Sequence, residues 1–169
     1  MLALARALEL NPHHADSLLM TADRLIDAEQ YPQAREVLDH VLAVNAAHPD
    51  ACAYRAVLAH LDGDGPGEKT WRDTALAHWS ANPHVDFLIG RELSQKYRFQ
   101  EGAACQRRAL QFDAAYLPAK IALARDLLRL GEDDEGWRLA EEVHVADAYN
   151  VAAYNLVTLR ETLSGFKTL

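Results

Sequence analysis

Cysteine is scarce: there are two, Cys52 and Cys105, far apart and without the CxxC spacing of a metal knuckle or a redox pair. No disulfide framework is expected, and both read as small core side chains. Basic residues are outnumbered, 17 against 25 acidic ones, for a formal net charge of -8. An acidic chain repels phosphate backbones, so nucleic acid is not an expected partner. No apolar run is long enough to span a bilayer. The opening MLALARALEL is interrupted by Arg6 and Glu9 and followed by no small-residue cleavage site. It reads as the end of an amphipathic helix, with Leu4 and Leu8 on one face. Strand-period alternation is missing throughout, which leaves no segment for a sheet.

The strings that carry chemistry are missing too. Eight histidines raise the question of metal, yet HExxH occurs nowhere. His13 and His14 are adjacent, so on a helix their rings diverge. His78 and His84 flank Pro83 near Asp86, and read as solvated turn and helix-face residues more readily than as ligands. GDGPGEKT holds glycines and a Lys-Thr pair without P-loop spacing or a preceding strand, and reads as a loop. The acids Glu132, Asp133, Asp134 and Glu135 sit where a helix starts, and the helix dipole explains them. No catalytic residue, cofactor or metal is expected, and the chain is not read as an enzyme.

What is present is helix. Half the residues are hydrophobic, dominated by Ala and Leu, which favours helix and affords a core. Breaks recur at Asn11-Pro12, His48-Pro49-Asp50, Gly63 to Gly67, Asn82-Pro83, Asp113-Ala114 and Asp147-Ala148. Between them apolar residues return at helical spacing, as in Leu18, Leu19, Ala22, Leu25 and Ile26. Helices are predicted near residues 2–10, 14–28, 31–44, 49–61, 67–80, 83–96, 99–111, 116–130, 133–146 and 150–163. The fold class is all-α.

The chain also resembles itself. Glu101-Gly102 recurs thirty-four residues on as Glu135-Gly136, Asp113-Ala114 as Asp147-Ala148, and Ala119 as Ala153. Leu4, Leu8 and Asn11 are followed at the same offset by Leu38, Leu42 and Asn45. Two periods separate Tyr31, Ala34, Val41 and Asn45 from Phe99, Gly102, Ala109 and Asp113.

These slots resemble the tetratricopeptide repeat, a 34-residue pair of antiparallel helices. Ile89-Gly90 with Leu93, and Leu123-Ala124 with Leu127, fit its first helix; Tyr31, Ala34, Leu38 and Val41 fit its second, as do Phe99, Gly102 and Ala109. The usual first-helix Trp is replaced by Leu18, Tyr54 or Lys120, and the repeat at 49–82 carries the Gly63–Gly67 insertion. The resemblance implies an α-solenoid, a right-handed superhelix, forming a single repeat domain over 1–169. Its repeats would be 14–48, 49–82, 83–115 and 116–149, with partial ones at 1–13 and 150–169, as in a fragment of a longer protein. A second resemblance covers the last third, from KYRFQEG through RRAL, YLPAK, DLLRLG, EGW and AYN to GFKTL. That stretch is similar to the repeats preceding the zinc metallopeptidase domain of bacterial peptidase-MA-like proteins.

In such a stack the first helices line a concave wall. Arg91 and Arg125 are one period apart on equivalent turns, and Arg55, Phe87 and Asn155 are assigned to a neighbouring inner row, with Asp23 toward the N-terminal end. Arginines along a groove suit a carboxylate-bearing or acidic peptide, because the guanidinium bonds carboxylates through paired donors. The bland alternative pairs Arg91 and Arg125 with Glu92 or Asp126 in solvated ion pairs worth ~0–1 kcal/mol each. Trp71, Trp79 and Trp137 are placed on second helices as packing residues, and Tyr154 is read the same way. The expected function is a non-catalytic protein–protein interaction scaffold; the rival is a structural arm on a metallopeptidase-like domain downstream in the same chain. Uncapped ends, with Phe166 and Leu169 in an apolar tail, would favour docking or a homodimer.

Overall fold

A computed structural model describes residues 2–166. Leu169 lies outside the described residues. Among those described there are ten α-helices and no strand: α1 (Leu2–Leu10), α2 (Ala15–Asp27), α3 (Tyr31–Val44), α4 (Pro49–Leu61), α5 (Gly65–Ala75), α6 (Pro83–Gln95), α7 (Phe99–Phe112), α8 (Leu117–Leu130), α9 (Asp133–Ala146) and α10 (Val151–Ser164). Contacts gather into two compact units, Met1–Ile89 and Gly90–Leu169, with the boundary inside α6. In the first unit α2 packs on α3 and α4 on α5; in the second α7 packs on α8, α8 on α9 and α9 on α10. Short turns between packed neighbours make consecutive helices antiparallel.

Two kinds of turn alternate at the repeat period, except that between α5 and α6 the turn side chain is Asn82, which accepts the His84 N–H at 3.0 Å. Between repeats, Asn11, Asn45, Asp113 and Asp147 each accept, through the side-chain oxygen, the backbone N–H two residues on, at 3.1, 3.1, 2.8 and 3.0 Å. An Asn or Asp there makes the turn with its own side chain. Within repeats, the helix ends with one residue in the left-handed region: Glu29 (φ 59°), Gly63 (76°), Tyr97 (62°) and Gly131 (80°). The N–H after each of these reaches back to the carbonyl of Leu25, Ala59, Leu93 or Leu127. This is the glycine-favouring helix stop. A residue with a Cβ spends roughly 1–2 kcal/mol to adopt it, so Glu29 and Tyr97 occupy a slot better suited to glycine.

Three predicted features need correction. The Gly63–Gly67 stretch is not a loop: α5 begins at Gly65, because the Asp64 carboxylate accepts the Gly67 N–H at 2.9 Å and Pro66 falls in the first turn, where its missing donor costs nothing. That helix ends at Ala75, short of the expected 80, so Trp79 lies beyond it and is 60% exposed. Tyr154, read as a packing residue, is exposed on α10 beside the His144 ring.

Each unit has an alanine-rich core. Ala22, Ile26, Ala34, Leu38 and Val41 are buried in the first, with most of α4 from Ala51 to Ala59. In the second, Ala103, Leu123, Ala124, Leu127, Leu139 and Ala140 form one cluster. Small residues let backbones approach, and leucines fill the space opposite. Cys52 and Cys105 are buried and not joined in a disulfide, and burial pushes the Cys52 thiol up to about 11.

Candidate functional site

The second unit carries the candidate site. Arg91 stands on α6 and Arg125 on α8, and both line one cavity of about 360 Å³. Ser94 and Gln95 of α6, the turn residue Tyr97, Phe99 at the start of α7, and Ala122, Asp126 and Arg129 of α8 complete it. Arg125 and Arg129 are one turn apart on α8, so their guanidinium groups project from the same face. A second cavity of about 390 Å³ shares these two arginines and adds Leu128, Asp133, Trp137, Leu156 and Leu159. Trp137 is therefore a half-buried wall residue beside two cations, in addition to any packing role.

Charge sorts these residues into two groups. Arg91 turns its Nε and Nη2 onto Glu92 Oε1, at 2.9 and 2.6 Å, and the Glu92 carboxylate is fully buried. Elsewhere Arg35, Arg98, Arg107, Arg138 and Arg160 are each held by a carboxylate. Arg125 and Arg129 are not: among the described residues neither has a carboxylate within ion-pairing distance. Arg129 lies over the Phe99 ring at 5.0 Å and donates to the Arg125 carbonyl at 3.3 Å. In a chain with an excess of acid, two neighbouring arginines left without a carboxylate in a cavity wall are a ready anion site.

Under them lies Asp126, 2% exposed, its Oδ2 2.7 Å from the Ser94 hydroxyl. Desolvation raises its pKa above the usual carboxylate range, opposed by the Ser94 hydrogen bond and the charges of Arg129 and Arg125. The folded state then holds this proton more tightly than the unfolded chain does. The contribution to stability is complete below the unfolded value and is lost as pH rises through the folded one. Asp126→Asn keeps an acceptor for Ser94 and removes the titration. Relative to the Asn variant, the parent should therefore gain stability as pH falls through the carboxylate range. Urea titrations of both proteins between neutral and acidic pH check this; a constant difference between them would refute it.

Of the other residues assigned to the inner row, Arg55 and Phe87 belong to the first unit and Asn155 to α10 of the second. Arg55 pairs with Asp39 of α3 at 3.1 Å and stacks on Trp71 of α5 at 4.8 Å. It faces the second helices of its unit, because it stands in the slot occupied by Leu123 one repeat pair later, and that slot points inward to packing. Phe87 is half-buried in the first unit with its ring 5.7 Å from His84. Asn155 is exposed on α10 and lines neither cavity. Asp23 accepts the Tyr54 hydroxyl at 3.0 Å. Sequence reasoning missed Arg129, Tyr97 and Phe99. Arg129 was findable, four residues after Arg125 on the same face.

No protein-family model matches the chain, and no curated protein does. Solved structures do. PilF of Pseudomonas aeruginosa is 18% identical with a TM-score of 0.55, the alignment covering 88% of this chain and 70% of that one. Yeast Tom70 is 16% identical at 0.53, covering 95% and 42%. YrrB, a TPR protein with an unusual peptide-binding site, is 17% identical at 0.51, covering 96% and 84%. The fold is the tetratricopeptide type of α-solenoid, built from helix pairs.

Proposed function

We propose that the chain is a protein-interaction scaffold that seats an acidic peptide or protein segment in the groove lined by Arg91, Arg125 and Arg129. The observation that carries this reading is the pair of arginines on one face of α8 that have no carboxylate partner among the described residues, set in a cavity with aromatic walls. A carboxylate entering there gains charge-assisted hydrogen bonds without first breaking an ion pair. Arg91, already committed to Glu92, contributes stem and field more than a free donor set. That a neighbour in fold, YrrB, has a peptide-binding site supports the reading. The metallopeptidase-associated arm has no comparable support among the solved structures.

A random twelve-residue peptide display library is the direct probe. Peptides selected on the parent should be enriched in Asp and Glu. Arg125→Ala combined with Arg129→Ala should weaken them about a hundredfold or more, since each charge-assisted bond is worth roughly 1.5–3 kcal/mol. Binding should also fall as salt rises. Peptides that bind the double variant as tightly as the parent would place recognition elsewhere.

A further inference from the structure

We propose that Tyr97 is the specificity-determining residue of this groove, selecting a peptide whose acidic residue is accompanied by an aromatic or large aliphatic side chain. The inference rests on the groove reading above and names the second half of its ligand.

The first observation is backbone geometry. Of the four left-handed turn positions thirty-four residues apart, two are glycine, and Tyr97 is a bulky residue at φ 62°. Strain kept where a cheaper residue stands in sibling turns points to a use for the side chain. Glu29 shows that the slot admits a side chain, but an exposed carboxylate is at home in water. The Tyr97 residue is 83% exposed, so burial gives almost nothing back for the conformation.

The second observation is where the ring stands. Tyr97 rims the cavity that holds Arg125 and Arg129. Its ring meets Phe99 edge-on with centroids 5.8 Å apart, and Phe99 in turn carries the Arg129 guanidinium over its face. The order along the wall is thus phenol, phenyl, guanidinium, with Arg125 one helical turn further. An extended segment that places a carboxylate on Arg125 and Arg129 brings a side chain a few residues away against Tyr97. An aromatic or aliphatic group there covers the exposed ring, and the phenol hydroxyl remains free to stay wet at the rim.

Display selection on four proteins tests this: the parent, Tyr97→Gly, Tyr97→Asn, and Arg125→Ala with Arg129→Ala. Parent-selected peptides should combine an acid with a large apolar residue. Tyr97→Gly should be at least as heat-stable as the parent, because glycine suits the turn. It should bind the parent's peptides about tenfold more weakly, and its own selection should keep the acid and lose the apolar residue. Tyr97→Asn, which tolerates the left-handed conformation without a ring, should behave like the glycine variant. Unchanged affinity in Tyr97→Gly and Tyr97→Asn overturns the inference while leaving the groove reading intact. A lower melting temperature in both makes the ring a packing residue, with the same consequence. Indifference of the peptides to the double arginine variant, or no binder at all, overturns both.

Discussion

Replacing Arg72 by alanine is expected to cost the first unit about 3 kcal/mol of unfolding free energy. The Arg72 guanidinium grips Asp86 in a two-point fork, Nε to Oδ1 at 2.7 Å and Nη2 to Oδ2 at 2.6 Å, tying α5 to the first turns of α6. The Asp86 side chain is fully buried and that of Arg72 is 22% exposed. Removing one partner of a buried pair typically costs about 3–5 kcal/mol because the other charge stays behind in a poor medium; the residual exposure of Arg72 puts this case at the lower end. Lysine is a point donor and cannot reproduce the fork, so Arg72→Lys should recover only part of the loss. Urea unfolding of the single variants and of Arg72→Ala with Asp86→Ala gives the coupling directly. A loss below about 1 kcal/mol in Arg72→Ala would mean that the pair is solvated as ordinary surface pairs are.

This pair marks where sequence reasoning stops. The helices and the turns between repeats were legible because their causes are local: an Asn or Asp that closes its own turn, leucines and alanines at helical spacing. The left-handed turns within repeats were not, because Glu29 and Tyr97 carry no glycine to mark them. Arg91 and Arg125 were legible as neighbours because the period carries one onto the other. Asp86 was not, since an acid next to a histidine and a proline suggests a surface turn, and its partner lies fourteen residues upstream on another helix. The contacts of Arg55 were hidden for a related reason. An arginine fills a slot that leucine fills elsewhere, and only its contacts with Asp39 and Trp71 show that the guanidinium turned toward the second helices. The start of α5 hid behind glycine and proline, whose reputation as breakers does not apply in a first turn capped by Asp64.

Gly90→Val is expected to destabilise the second unit by about 3 kcal/mol, against the usual sign for a glycine inside a helix. Mid-helix glycine normally costs about 1 kcal/mol relative to alanine, so a side chain at an open position would help. Gly90 is not open. A Cβ there would stand 2.5 Å from Gln106 Nε2, 2.8 Å from Cys105 Cβ and 2.9 Å from the Gly102 carbonyl oxygen. The first neighbour is the end of the Gln106 side chain, which is itself fully buried; the other two belong to the first side-chain atom and the backbone of α7, and yield only if α7 moves. Alanine should therefore already lose stability, and the two further methyls of valine should lose more, at or above the usual 1–3 kcal/mol for overpacking. The consequence reaches the groove, since Gly102 also leaves the space in which Ser94 meets Asp126. Moving α7 away from α6 shifts Phe99 relative to Arg129 and loosens the floor beneath the arginines. Circular dichroism melts and amide exchange of Gly90→Ala and Gly90→Val measure the effect, and a valine variant as stable as the parent would show that the two helices are not in the close register that places the groove.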